Sequence, residues 1–82
     1  MKPQEIITDS QIETVHAYAD FGSMGKRMVV NESLLKLACG FHNGSTAQHI
    51  LADHGLIFER YGKRSHTLTA KGRKYLWAVY AP

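Results

Sequence analysis

Residues 55–75 read GLIFERYGKRSHTLTAKGRKY and predict a β-hairpin followed by a helix. Two short runs of β-forming residues, at 56–60 and 65–68, flank a compact turn at 61–64 that contains a glycine. This spacing is typical of a hairpin. Thr69 then stands where a helix needs an N-cap, so we expect the last helix to begin there.

Three helices are predicted before this stretch. The first covers about 9–20, where apolar residues recur with helical spacing. The second begins at the N-cap Asn31 and ends near Gly40. The third begins at Ser45 or Thr46, both of which are N-cap residue types.

The connections between these elements are predicted from glycine, proline and β-branched residues. Residues 1–7 are expected to form a loose lead-in, because Pro3 disfavours an early helix. Residues 21–27 contain two glycines and are expected to form a loop. The short run at 28–30 is predicted as a brief strand or an extended entry to the next helix. Gly55 stands where a left-handed residue would end the third helix.

The charge is distributed unevenly along a short chain. The 82 residues carry ten Lys and Arg against seven Asp and Glu, for a net charge of +3. Residues 1–41 carry a net charge of −1, and residues 42–82 carry +4 because six bases lie between Arg60 and Lys74. Such a block indicates either a polyanionic partner or a solvated face that keeps the protein soluble.

Length and composition exclude several classes of protein. One domain of this size is far below the roughly 200 residues that a large cofactor-binding fold needs. A single cysteine, Cys39, excludes an internal disulfide and fits a reducing compartment. No apolar run approaches the ~20 residues of a membrane span, and no secretory signal is visible, so we expect a cytoplasmic protein without membrane contact.

No catalytic or metal-binding motif stands out. The chain lacks a glycine-rich phosphate loop, paired catalytic carboxylates and a nucleophile elbow. His49 and His54 are five residues apart and diverge around a helix, unlike zinc ligands. We therefore predict that the protein is not an enzyme and binds neither a cofactor nor a metal.

The order of elements resembles a winged helix-turn-helix domain. Residues 34–57, LLKLACGFHNGSTAQHILADHGLI, are similar to the helix pair of that fold and its entry into the wing. Residues 58–76, FERYGKRSHTLTAKGRKYL, are similar to the wing and contain the L-T-x-x-G pattern of many bacterial regulators, including the MarR, PadR and ArsR groups. The resemblance covers about 8–80. It implies one α+β domain over 1–82, with a three-helix bundle, a two- to three-stranded β-hairpin wing and a C-terminal helix.

The resemblance also implies a function in binding double-stranded DNA as a transcriptional regulator. The third helix would lie in the major groove, and its base-reading residues would be Asn43, Ser45, Thr46, Gln48 and His49. The wing and the start of the last helix would hold the DNA backbone or minor groove through Arg60, Tyr61, Lys63, Arg64, His66, Lys71 and Arg73. Lys26 and Arg27, in the predicted loop, are candidates for a second phosphate contact.

The last helix is apolar on nearly all sides, which favours an interface as well as a core role. We expect a homodimer in which Tyr75, Trp77 and Tyr80 form the contact, as suits a reader of two half-sites. An alternative function is a protein–protein interaction module without sequence-specific DNA reading. The third predicted helix carries no Lys or Arg, which favours that alternative, whereas the basic block favours DNA.

Overall fold

The computed structural model describes residues 1–19, 21–58 and 67–81. Within these ranges the chain forms five helices and one two-stranded antiparallel sheet, so the predicted α+β class is confirmed. The elements are α1 (Pro3–Ile6), α2 (Asp9–Thr14), α3 (Lys26–Ala38), α4 (Ser45–Asp53), β1 (Ile57–Phe58), β2 (Thr67–Leu68) and α5 (Ala70–Tyr80). None of the described helices has the length and apolar character needed to cross a membrane.

The hydrophobic core surrounds α3, against which α2, α4, α5 and β2 all pack. Its buried members come from nearly every element and are Ile7, Ile12, Val30, Leu34, Ile50, Leu51, Leu56, Ile57 and Tyr75. Burial of each such side chain contributes about 1.5–3 kcal/mol to folding. The fold therefore depends on α3 as a central element that four other elements contact, whereas α1 packs on α5 and β1 on α4.

The predicted loose lead-in at 1–7 is wrong. Pro3 is the first residue of α1, a position where a helix does not need the missing N–H of proline. Ile7, directly after α1, is fully buried, and α1 packs against α5. The segment is thus packed on the last helix, and it contributes Ile7 to the core.

The predicted first helix, 9–20, is too long. α2 ends at Thr14, Val15 is extended, and His16 has a positive φ of 51°. The ammonium group of Lys26 donates hydrogen bonds to the backbone carbonyls of Glu13, at 3.1 Å, and His16, at 2.9 Å. These bonds satisfy carbonyls that a longer helix would have paired internally.

The predicted loop at 21–27 is confirmed for 21–25, but the brief strand or extended entry predicted at 28–30 is wrong, because α3 already begins at Lys26. Val29 and Val30 are buried on α3, and this burial outweighs their preference for strands. Asn31 lies inside the helix, and its side-chain oxygen accepts a hydrogen bond of 2.6 Å from the hydroxyl of Tyr75. A residue predicted as an N-cap thus joins α3 to α5.

Two glycines end helices as predicted, but the N-cap of α4 differs from the prediction. Gly40, after α3, and Gly55, after α4, have φ of 87° and 74°, values that residues other than glycine rarely adopt. The N-cap of α4 is Gly44, not Ser45 or Thr46. The two hydroxyl residues therefore lie in the first turn of α4.

The predicted hairpin is confirmed at the residues that the structure describes. Ile57 pairs with Leu68 and Phe58 with Thr67, in antiparallel register. The predicted turn and the outer parts of both strands, 59–66, lie outside the described residues. Thr69 caps α5 as predicted, since its hydroxyl accepts a hydrogen bond of 2.9 Å from the N–H of Gly72.

Gly72 brings α5 into direct contact with the chain before β1. It is buried, and a Cβ at this position would overlap the backbone carbonyl of Leu56. That carbonyl also accepts a hydrogen bond of 3.0 Å from the N–H of Thr69. The glycine of the L-T-x-x-G pattern is thus required for the close approach of the two backbones.

Candidate nucleic-acid interface

The outer side of α4 is polar, and its inner side is apolar. Ile50 and Leu51 are buried against the core, whereas Ser45, Thr46 and His49 are exposed. Gly44 is the N-cap and has no side chain, so the N-cap residue makes no side-chain hydrogen bond to the N–H groups of the first turn. The first turn of α4 therefore presents backbone N–H groups and two hydroxyl groups on one exposed end.

Two members of the predicted base-reading set are less accessible than expected. The side-chain amide of Asn43 donates a hydrogen bond of 2.9 Å to the backbone carbonyl of Ser33 and is half-buried. This bond ties the α3–α4 connection to α3 and uses an amide donor that base reading by Asn43 would need. Gln48 is half-buried. The exposed polar surface of α4 thus comes from Ser45, Thr46 and His49 in its first two turns and from Asp53 at its end, where the carboxylate contacts His16.

Three bases of the positive block lie in the first two turns of α5 and are exposed: Lys71, Arg73 and Lys74. The side chain of Lys71 passes beside Gly55, at the C-terminal end of α4. Nine residues at 1.5 Å per residue put this end about 13 Å from the first turn of α4. Lys71 therefore adds positive charge where the dipole of α4 is negative.

The other predicted wing contacts, Arg60, Tyr61, Lys63, Arg64 and His66, lie outside the described residues. Arg73 is described, and its guanidinium donates a hydrogen bond of 3.1 Å to the backbone carbonyl of Leu68. This bond anchors the first turn of α5 to β2. Arg73 thus has a role in the fold in addition to the contact predicted for it.

Lys26 and Arg27, the candidates for a second phosphate contact, make hydrogen bonds inside the fold. Both lie in the first turn of α3, and Lys26 is bonded to the carbonyls after α2. Arg27 donates hydrogen bonds to the carbonyl of Ile7, at 2.8 Å, and to the carboxylate of Asp9, at 2.9 Å. Because these donors are used inside the fold, the two bases have a structural role, and the phosphate contact stays a prediction.

A buried polar network connects α3 to α5. The hydroxyl of Tyr75 donates to Asn31 and accepts a hydrogen bond of 3.2 Å from Arg27. Burial raises the pKa of Tyr75, and the hydrogen bond from Arg27 acts in the opposite direction. Tyr75 is 0% exposed, so its predicted place in a dimer interface is wrong. The spacing of apolar residues in the sequence does not indicate this network, because Arg27 and Asn31 are polar and Tyr75 is amphipathic.

Two histidines lie near the C-terminal end of α4. His54 is buried, and burial, followed by the charge of Lys71, lowers its pKa from the usual 6.5. The ring of His16 makes a 2.7 Å contact with the carboxylate of Asp53, which joins the turn after α2 to α4. Among residues 1–19, 21–58 and 67–81, no group of three or more His, Cys, Asp and Glu side chains could hold a metal ion.

The outer side of α5 is apolar. Trp77 is 75% exposed and Tyr80 is 46% exposed. A groove of about 390 Å³ lies on one side of the Trp77 ring, and a second of about 430 Å³ lies on the other. The first groove is lined by Leu35, Arg73, Leu76, Trp77, Tyr80 and Ala81. The sequence prediction did not include Leu35, whose neighbour Leu34 occupies the buried stripe of α3.

The chain was compared with known proteins in three ways. A scan against protein-family models found no match, and neither did a search of curated proteins or a search of solved structures. The function must therefore be inferred from the residues and their geometry.

Proposed function

We propose that this protein is a DNA-binding transcriptional regulator of the winged helix-turn-helix type that acts in the cytoplasm. In this proposal α4 enters the major groove of double-stranded DNA, and the basic hairpin contacts the backbone or the minor groove beside it. The observation that carries the proposal is the exposed polar first turn of α4, on a helix whose opposite side is buried.

The order and packing of the elements support this proposal. α3 and α4 pack together across a connection that contains Gly40, and α4 leads through Gly55 directly into β1. The antiparallel β1–β2 pair is followed at once by α5. In helix-turn-helix proteins the second helix of such a pair lies in the major groove, with its N-terminal residues towards the bases.

The chemistry of the first turn of α4 also supports the proposal. Serine and threonine hydroxyls bond to bases and to phosphate oxygens, and a helix N-terminus attracts phosphate through its N–H groups. α4 carries no Lys or Arg, so it does not supply the long-range attraction to DNA. The six bases between Arg60 and Lys74 supply that attraction in this proposal, by releasing counterions from the phosphates.

The experiment is a fluorescence-anisotropy titration of duplex DNA over a range of salt concentrations. We expect the logarithm of the association constant to fall linearly with the logarithm of salt concentration. The double substitution Lys63→Ala and Arg64→Ala removes two bases of the positive block. It should reduce the steepness of this line by roughly two units and weaken binding at every salt concentration.

A matched control removes the same charge elsewhere. Lys2 and Lys36 are exposed and lie outside the basic block, so Lys2→Ala with Lys36→Ala should leave the salt dependence nearly unchanged. If both double variants weaken binding equally, the basic block has no special role. If the wild-type protein does not bind duplex DNA even at low salt, the proposal is wrong.

A protein–protein interaction module on the same fold is the second candidate. The specific observations that favour it are the absence of bases on α4 and the exposed Trp77 on α5. It predicts no duplex binding in the titration above, so the same experiment separates the two candidates.

A further inference from the structure

The exposed face of α5 combines an apolar ridge with opposite charges at its two ends. Arg73, Trp77 and Tyr80 recur at intervals of four and three residues, so they lie on one side of the helix. Trp77 stands between the two grooves described above. A ridge with a groove on each side is the shape that helices use to pack against one another.

The positive end of this face is the start of α5. Lys71, Arg73 and Lys74 lie in its first two turns, and neither Asp nor Glu lies in the first turn. Bases in this position oppose the positive pole of their own helix dipole. Their charge is therefore unfavourable for α5 alone and favours a negatively charged partner.

The negative end of the same face is the end of α5. The last turn of α5 contains no base, so no side chain of that turn offsets the negative pole of the dipole. Glu32 of α3 is exposed and stands three residues before Leu35, which lines the groove together with Tyr80, and its carboxylate adds to the effect of burial in raising the pKa of Tyr80. The two ends of this face thus carry charges of opposite sign, about two helical turns apart.

We propose that this face binds a second copy of the chain, with the two α5 helices antiparallel across a two-fold axis near Trp77. A two-fold contact uses the same surface patch on both copies, so every contact between two different residues occurs twice, once from each copy. Antiparallel packing brings Arg73 of each copy to the Glu32 end of the other, whereas parallel packing brings like charges together. Each Trp77 ring enters a groove beside the Trp77 ring of the other copy.

This charge pattern is what selects a second copy over an unrelated partner. One surface with opposite charges at its two ends is complementary to itself only when one copy is reversed. The inference does not rest on DNA binding, because its test contains no nucleic acid. It also replaces Tyr75, which is buried, with Leu35 and Leu76 as neighbours of Trp77 in the contact.

The first test is analytical ultracentrifugation of the full chain over a range of concentrations. The wild-type protein should reach twice the mass of one chain. Trp77→Ser should raise the concentration at which half of the protein is dimeric by about tenfold or more, as expected for an aromatic residue at the centre of an interface. Tyr18→Ser is the matched control, because Tyr18 is 100% exposed and lies outside both grooves.

The second test exchanges the charges at the two ends. Arg73→Glu and Glu32→Arg should each raise the half-dimer concentration, and the two together should restore it towards the wild-type value. Glu13→Arg, a charge reversal on α2, should have no effect. Circular dichroism of each variant checks that the fold persists, since Arg73 also bonds to Leu68.

Three results would overturn the proposal. These are a wild-type protein that stays monomeric at every concentration, a Trp77→Ser variant that dimerises like the Tyr18→Ser variant, and a double charge exchange no better than either single exchange. A monomeric wild-type protein would leave the face to a different partner.

Discussion

α4 and α5 both pack against α3, but they differ in the contacts on their inner sides and in the side chains that they expose to solvent. The inner side of α4 consists mainly of aliphatic side chains, Ile50 and Leu51, and its outer side is polar. The inner side of α5 contains the buried Gly72 and the hydrogen-bonded Tyr75, and its outer side carries Trp77.

The difference indicates how strictly each helix is oriented. Aliphatic burial is non-directional, so it fixes which side of α4 faces inward but tolerates small rotations. A backbone contact and a pair of hydrogen bonds depend on distance and angle, so they fix α5 more tightly. A strictly held helix with an apolar outer side suits a protein contact, whereas the polar side of α4 suits DNA.

The largest expected effect is that of a methyl group at Gly72. An alanine in an open helix position normally stabilises the protein by about 0.5–1 kcal/mol relative to glycine. Gly72→Ala should instead lower the free energy of unfolding by about 3 kcal/mol or more, because its Cβ would overlap the carbonyl of Leu56. Urea denaturation followed by circular dichroism measures this change.

The control for this prediction lies at the start of α4. Gly44 has open space around its missing Cβ and a negative φ, so Gly44→Ala should cost no more than about 1 kcal/mol. If the two substitutions had equal effects, the comparison between α4 and α5 would fail.

The next effect in size concerns the hydrogen bonds of α5. Tyr75→Phe removes the hydroxyl that donates to Asn31 and accepts from Arg27, although Arg27 keeps its bonds to Ile7 and Asp9, so it should lower the free energy of unfolding by about 1–3 kcal/mol. Tyr80→Phe, on the exposed side of the same helix, should change it by about 0.5 kcal/mol at most. The same denaturation measurement applies, and a neutral Tyr75→Phe would show that packing alone holds α5.

The smallest effect is a pH dependence that arises at the end of α4. Burial lowers the pKa of His54, so folding favours the neutral ring. The stabilisation is fully present above the ordinary pKa of 6.5 and is lost as the pH falls below it towards the pKa of the folded state. The charges of Lys71, Arg27 and His16 also oppose protonation of His54, whereas that of Asp53 favours it.

His54→Gln should remove this part of the pH dependence. The measurement is the urea midpoint of the wild-type and variant proteins on either side of pH 6.5. Equal loss of stability in both proteins as the pH falls would assign the effect to groups other than His54.

Local chemistry explains which parts of the fold could be predicted from the sequence. The helix end at Gly55 and the cap at Thr69 depend on residues within a few positions of each other, so both can be predicted from the sequence alone. The exposure of Ser45 and Thr46 follows in the same way, from the helical spacing of Ile50 and Leu51.

Contacts between distant residues explain what could not be predicted. Arg27 reads as a loop base until its hydrogen bond to Tyr75, 48 residues further along the chain, is known. Val29 and Val30 favour a strand in isolation, and only burial against the core makes them helical. The hydrogen bond of Asn43 could not be predicted for the same reason, because its partner is the backbone carbonyl of Ser33 in α3.

The packing of α1 against α5 has a consequence for the order in which the fold forms. Arg27 bonds both to Ile7 and to Tyr75, so it joins residues that are far apart in the sequence. A contact between distant residues has a larger loop-closure entropy to overcome than a local contact. α3 and α4 are close in sequence, so they can meet at a smaller entropic cost than α1 and α5. We therefore expect the packing of α1 on α5 to form late in folding.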